Sequence, residues 1–139
     1  MSTQIEITKA IINILKNDAP LTALIATFSG SSAVFYHVPQ SFDAYPYVII
    51  QDIDLDNDDN DVTLAFEGVI NIHTWSDNRD ISEVGNVMQA VYNALQRVEF
   101  LMTGYALIDL TQQNEVVLRD PDGITLHGVQ RLRIILQAN

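Results

Sequence analysis

The chain has 139 residues, of which 47% are hydrophobic, with a formal net charge of −11 and no cysteine. The length and hydrophobicity predict one folded domain, residues 1–139, and the lack of cysteine excludes a disulfide framework, a thiolate metal site and a catalytic thiol. The seven Lys and Arg side chains are scattered along the chain, which argues against phosphate-directed binding of nucleic acid.

Nothing near the N-terminus has the form of a basic leader followed by an apolar run, and unbroken apolar runs elsewhere are short. We therefore expect neither a signal peptide nor a membrane-spanning segment, and we expect the protein to be made in the cytoplasm.

The first third of the chain predicts two helices and a short strand. Apolar residues at helical spacing predict an amphipathic helix over Ile5–Lys16. Leu21–Phe28 predicts a short second helix, with Pro20 near its start and Gly30 just beyond its end. A short strand is expected from Ala33 to Val38.

The middle of the chain predicts two strands joined by an acidic loop. Pro46 precedes the β-branched and aromatic run Tyr47–Ile50, as is typical of a strand start. Asp52–Asp61 is expected to be a solvated inter-strand loop. Thr63–Trp75 alternates regularly and predicts a long strand, in which Gly68 marks a bulge or a close backbone approach.

The clearest helix is predicted over Ile81–Val98, where the apolar stripe recurs every three or four residues and Asp80 with Glu83 forms a capping box. The opposite face of this helix has little charge, as in the core of an interface. We hypothesise that this face packs against another copy of the chain. It consists of Ser82, Asn86, Gln89, Ala90, Asn93, Ala94 and Gln96, of which Asn86, Gln89, Asn93 and Gln96 are the interface candidates.

The C-terminal third predicts strands at Tyr105–Leu110 and Glu115–Arg119, the turn Asp120–Gly123, and a closing strand over Leu126–Gln137. His127, Arg131 and Arg133 fall on the polar face of the closing strand. The whole order predicts an α+β fold, with an antiparallel or mixed β-sheet, two or three helices packed on one face, and a closing β-hairpin.

The acidic stretch also has the spacing of a calcium loop, with oxygen ligands at Asp56, Asp58, Asn60 and Glu67. Two features argue against a calcium site. Asp61 stands where a glycine normally makes the sharp turn, and the flanks predict strands rather than helices. We therefore expect no metal, and the solvated loop is the preferred interpretation.

No pattern predicts an enzyme or a cofactor site. The three histidines, His37, His73 and His127, lie on separate segments, and a meeting of two of them across a sheet cannot be inferred from spacing. No nucleophile motif and no phosphate-binding glycine-rich loop is present. Trp75 and Tyr92 could anchor a partner, or could form the edge of the core.

Three stretches together carry a resemblance. The first is Pro46–Ile50, a Pro-Tyr-Val strand start, and the second is Ile70–Ser76, a strand that ends in Trp-Ser before a long helix. The third is Arg119–Arg133, an Asp-Gly turn followed by His-Gly-Val-x-Arg-x-Arg. In order and spacing they resemble the phage tail-terminator or tail-completion proteins, which join tails to heads and also occur in gene transfer agents and prophages.

The resemblance implies a structural protein of the virion neck, in which a ring, usually a hexamer, caps the tail tube and offers the surface for head attachment. The implied partners are further copies of the chain, the tail tube protein and a head-completion or connector protein, while DNA passes through the lumen. Arg131 and Arg133 would meet a neighbouring subunit. Since acidic side chains repel phosphates, we expect a lumenal or axial position for Asp52, Asp54, Asp56, Asp58, Asp59 and Asp61.

Two alternatives stay open. The first is another neck or minor tail component, such as a head-closure protein, which the sequence distinguishes poorly from a tail terminator. A protein of a different class, a calcium-binding module built on Asp52–Asp61, would use the acidic stretch itself.

Overall fold

The computed structural model describes residues 3–57, 65–97 and 104–138. The elements are α1 (Thr3–Lys16), α2 (Ala19–Thr22), β1 (Thr27–Phe28), β2 (Ser31–Ser32), β3 (Val34–Phe35), β4 (Tyr47–Asn57), β5 (Ala65–Ser76), α3 (Ile81–Arg97), β6 (Tyr105–Arg119) and β7 (Leu126–Ala138). No helix in these ranges is long and apolar enough to cross a membrane.

Five strands form the main sheet in the order β3-β4-β5-β7-β6, and β1 pairs with β2 in a separate two-stranded sheet. β3 runs parallel to β4, whereas the other three pairs are antiparallel. The sheet is therefore mixed, and β6 and β7 form the closing hairpin. The α+β fold predicted from the sequence is confirmed.

The core lies between the sheet and the helices. Alternate residues of β5 and β7 point towards α1 and α3, so the apolar members of one strand face are buried together with the apolar stripes of the helices. Full burial of each Ile or Leu stabilises the fold by about 1.5–3 kcal/mol. The largest fully buried side chains include Ile7, Ile11, Leu15, Leu21, Ile50, Ile70, Ile72, Leu132, Ile134 and Leu136.

Three expected boundaries are wrong. The second helix is a single turn, Ala19–Thr22, capped by the Asp18 carboxylate, and Phe28 lies in β1. The strand expected at Ala33–Val38 has two residues. The two C-terminal strands before the turn are one strand, β6, which passes through two register shifts rather than ending at them.

The acidic stretch is not simply a loop. β4 continues through Asp52, Asp54 and Asp56 to Asn57, because Ile53 and Leu55 alternate with the aspartates and pack against the core. Asp52 has a φ of 54° at the register shift between Gln51 and Asp54.

β4 and β5 approach closely just beyond this irregularity. A Cβ on Gly68 would lie 2.1 Å from the Asp54 carbonyl oxygen and 2.5 Å from Leu55 Cδ2, so only glycine fits there. The close backbone approach predicted at Gly68 is confirmed.

α3 differs from its prediction in three details. Glu83 accepts a hydrogen bond from Ser76 Oγ at 2.6 Å instead of completing a capping box, although Asp80 does cap the helix through Ser82. Ala90 and Ala94, expected on the outer face, are buried. Ile81, expected in the core stripe, is 61% exposed. Val98, the expected last residue, lies outside the described residues.

The closing turn forms as expected. Gly123 has a φ of 74° and donates its N–H to the Asp120 carbonyl. The Asp122 carboxylate accepts hydrogen bonds from the backbone of Thr125 and Ile124, which lower the pKa of this carboxyl. The turn therefore fixes the register of the hairpin.

Candidate functional site

The side of the sheet opposite α1 and α3, which we call the outer face, has no described helix packed on it. Strand register aligns its side chains in rows across β4, β5, β7 and β6. The first row consists of Tyr47, Trp75, His127 and Leu118, and the second row consists of Ile49, His73, Val129 and Val116. We call these eight residues the apolar end of the outer face.

Stacked rings join the first row to the second. Trp75 and His127 are opposite each other on β5 and β7, and their ring centroids lie 3.8 Å apart with an angle of 11° between the planes. His73 is the diagonal neighbour, with its ring centroid 4.8 Å from that of His127. Leu118 and Val116, which lie beyond the stack at the β6 edge, are 51% and 43% exposed.

The two histidines share a hydrogen bond, since His73 Nδ1 and His127 Nε2 lie 2.6 Å apart. One ring must donate and the other accept, so at least one of the two is in a neutral form that supplies the lone pair. His73 Nε2 lies 3.6 Å from the Asp52 carboxylate and is otherwise buried without a hydrogen-bond partner. A proton on Nε2 of His73, facing Asp52, leaves Nδ1 free to accept from His127.

Burial lowers the pKa of both imidazoles. For His73 the nearby Asp52 carboxylate opposes this effect in part, and for His127 the positive form of His73 adds to it while Asp120 opposes it. Burial also raises the pKa of Tyr47 in the same row. The apolar end therefore favours uncharged side chains.

The opposite end of the outer face is acidic. Asp54, Asp56, Glu67 and Asp109 lie in two neighbouring rows near this end, and Arg133 lies in the same rows. Arg133 Nε donates to Glu67 Oε1 at 2.7 Å, and its Nη1 lies 3.9 Å from Asp109 Oδ2. Asp54 and Asp56 are exposed, so acidic charge exceeds basic charge here.

The residues of the calcium spacing are only partly described. Asp56 and Glu67 are directly opposite on β4 and β5, but Glu67 is engaged by Arg133. Asp58 and Asn60, together with Asp59 and Asp61, lie outside the described residues. Elsewhere in the described ranges, no group of three or more His, Asp or Glu side chains could hold a metal ion.

The helix-face candidates are at the surface but are not equivalent. Asn86, Gln89, Asn93 and Gln96 are all exposed on α3. Gln89 Nε2 donates to Asn93 Oδ1 at 2.9 Å, and Gln96 Nε2 reaches the Leu110 carbonyl of β6 at 3.4 Å. Of the two arginine candidates, Arg133 is paired with Glu67, whereas Arg131 is exposed and its Nε donates to Gln113 Oε1 at 3.1 Å.

The histidine stack is the feature that sequence analysis missed. Its residues are 54 positions apart along the chain, so only the register of β5 on β7 brings them together. The alternation of both strands did place His73 and His127 on the polar side of each strand. A correct strand pairing would have been the signal that was needed.

Comparison with known proteins identifies the family of this chain. The family described as "Tail completion protein gp17" matches residues 9–137. A chain from the virion of a native gene transfer agent particle is 19% identical, with a TM-score of 0.88 over 99% of this chain and 98% of that chain. The gp17 protein of bacteriophage SPP1 is 22% identical, with a TM-score of 0.55 over 94% and 88%. No curated protein sequence matches significantly.

The two structural likenesses show a shared fold. The family match covers nearly the whole chain and confirms the resemblance carried by Pro46–Ile50, Ile70–Ser76 and Arg119–Arg133. The chain therefore belongs to the tail completion protein gp17 family and is a structural protein of phage-type tail assembly.

Proposed function

We propose that this protein ends a growing tail as a hexameric ring that caps the tail tube, with no catalytic activity. The family match over residues 9–137 carries the proposal. In such a ring, one axial face meets the last ring of tube protein, and the opposite face meets a head-completion or connector protein. The protein then stays in the neck of the finished virion.

The charge of the outer face supports a lumen through which DNA passes without binding. Asp54 and Asp56 are exposed there, and among the described residues of the same rows Arg133 is the one cation beside Glu67 and Asp109. A phosphate backbone approaching this end meets repulsion and no cluster of Lys or Arg. We place the acidic end of the outer face at the lumen or its rim.

The contacts between subunits fall on two surfaces in this proposal. The α3 face with Asn86, Gln89 and Asn93 has polar but uncharged side chains, which can be desolvated at less cost than Lys or Glu. Arg131 is the better of the two arginine candidates, because the charge of Arg133 is already balanced by Glu67 within its own subunit.

Binding to the tube distinguishes a cap from another neck component. The purified protein is mixed separately with polymerised tail tube protein and with head-connector protein, and each mixture is sedimented. A tube cap sediments with tubes at a ratio set by the number of tube ends, so shearing the tubes raises the bound amount. Binding to the connector alone, with none to tubes, would instead assign a head-closure role.

A further inference from the structure

Both edges of the main sheet are open along part of their length. Among the described residues, β6 is an edge strand over all of Tyr105–Arg119. At the other edge, β3 pairs only with Val48 and Ile49, so no described strand covers β4 from Gln51 onwards. The side-chain amide of Gln4 reaches the Ile53 carbonyl on that side at 3.3 Å. Open strand edges are surfaces on which another strand can pair.

Each open edge is flanked by a groove on the helix side of the sheet. The groove beside β6 has a volume of about 370 Å³ and lies between Ile81 and Met88 of α3 and Glu115 and Val117 of β6. We call it the β6 groove. Ile81 is 61% exposed at its rim, so a large apolar side chain borders an unpaired strand edge.

The groove beside β4 has a volume of about 330 Å³ and lies between Ile5 and Lys9 of α1, Tyr36 after β3, and Ile53 of β4. We call it the β4 groove. Tyr36 is 60% exposed and Ile5 54% exposed. The two grooves thus share a design, in which exposed apolar side chains of a helix or loop overhang an open strand edge.

The two grooves lie a few residues apart along the strands. Glu115 is opposite Gln130, Gln130 is opposite Ile72, and Ile72 is opposite Ile50, which directly follows the segment of β4 that β3 covers. The next line along the uncovered part of β4 runs from Asp54 through Val69 and Arg133 to Thr111, so Ile53 of the β4 groove lies between these two lines. β4 and β6 also run in opposite directions, because three antiparallel pairings separate them. A second sheet added at β6 through its own β4 would therefore pair antiparallel, with the uncovered part of its β4 level with Asp109–Asn114 of β6 and the two grooves next to each other at the Glu115 end.

The charges of the grooves are complementary. Glu115 borders the β6 groove and is exposed, while Lys9, whose side chain is 71% exposed, borders the β4 groove. Both side chains lie on the helix side, so they would meet in the same layer when the edges join. Within the described residues Lys9 makes a 3.9 Å contact with Glu6, and such an exposed pair contributes little.

We propose that the β6 edge and groove of one copy of this chain dock on the β4 edge and groove of the next, head to tail, with Glu115 facing Lys9. This inference rests on the proposed ring, since a head-to-tail contact between two different surfaces is what closes a ring of identical subunits. It adds which edges meet, which the ring itself does not specify.

Cysteine trapping tests the contact, because the chain contains no cysteine of its own. The double variant Tyr36→Cys/Ile81→Cys, oxidised in the presence of tail tube protein, is expected to give a ladder of covalent oligomers that ends at the ring size. Each single variant gives no ladder. The matched control, Tyr36→Cys/Asp77→Cys, keeps two exposed cysteines but moves one out of the β6 groove, and it is expected to stay monomeric on denaturing gels.

Charge reversal in the trapping background tests the ion pair. Lys9→Glu and Glu115→Lys are each expected to lower the trapped fraction by about threefold to tenfold, and the two together to restore it. Lys16→Glu, which changes the net charge equally at the other end of α1, should have no effect. Rings that form without a ladder, or reversals without mutual rescue, would overturn the edge contact and leave the proposed function standing. Failure to bind tube ends at all would overturn the proposed function.

Discussion

Gly68→Ala is the substitution for which the structure predicts the sharpest cost. The added Cβ would lie 2.1 Å from the Asp54 carbonyl oxygen and 3.0 Å from Leu55 Cα, both backbone atoms of β4. Neither can move without displacing the strand. Overpacking of this kind costs about 1–3 kcal/mol, which exceeds the gain of up to about 1 kcal/mol from replacing a flexible glycine in a strand. Because the obstacles are backbone atoms, we take the upper end of the cost, about 3 kcal/mol, and expect a net loss of about 2 kcal/mol.

Gly128→Ala is the matched control on β7. There the added Cβ would lie 2.4 Å from Met88 Sδ, and the other near atoms, Val84 Cγ2 and Met88 Cε, are also in side chains. A methionine can change rotamer, so we expect a loss below about 1 kcal/mol. Both glycines are buried on the same face of the sheet, so the pair separates a backbone obstacle from a flexible one.

Urea denaturation followed by circular dichroism measures both changes, and a thermal scan provides a second measure. For a chain of 139 residues, a loss of 2 kcal/mol lowers the Tm by roughly 7 °C. Equal losses in the two variants, or a larger loss in Gly128→Ala, would refute the assignment of the β4–β5 close approach. The approach also positions Asp54, so Gly68→Ala should weaken tube capping at temperatures where the variant is still folded.

Three further predictions follow from the outer face. Since the folded-state pKa values of His73 and His127 lie below 6.5, the folded chain binds fewer protons than the unfolded chain, and the free energy of unfolding falls as pH drops below 6.5. The double variant His73→Gln/His127→Gln should flatten this slope, and an unchanged slope in that variant would contradict the prediction. Asp54→Asn/Asp56→Asn should change stability by less than about 0.5 kcal/mol yet alter assembly or DNA passage, and unfolding would show instead that these carboxylates are structural. The Tm in calcium should equal the Tm in chelator, because Glu67 is ion-paired with Arg133. A rise in Tm that saturates with calcium concentration would favour the calcium-binding alternative.

Most of the fold could be predicted because its signals are local. The stripe of α3, the alternation of β5 and β7, and the Asp120–Gly123 turn each follow from spacing within one segment. The length of β4 could also have been predicted, since Ile53 and Leu55 alternate with aspartates at a period of two. The density of acidic residues hid that pattern, although acidic side chains are compatible with the solvated face of a strand.

The candidate site was harder to predict from the sequence, because its contacts depend on the register between strands. The Trp75–His127–His73 stack needs β5 and β7 paired at one alignment, and a shift of one residue would turn these rings towards the core. The pairing of Arg133 with Glu67 depends on the same register, so sequence alone gave both arginines equal standing as interface candidates. The burial of Ala90 and Ala94 could not be predicted from the stripe of large apolar residues, because the contact between α3 and the sheet is wider than that stripe.

Tube elongation in the presence of the protein tests the capping function most directly. Tail tube protein is polymerised with increasing amounts of the purified chain, and the lengths and ends of the tubes are imaged by electron microscopy. We expect elongation to stop and a sixfold ring of this chain to lie at one end of each tube. Tubes that grow to the same length with bare ends, at concentrations of the chain above that of tube ends, would contradict it.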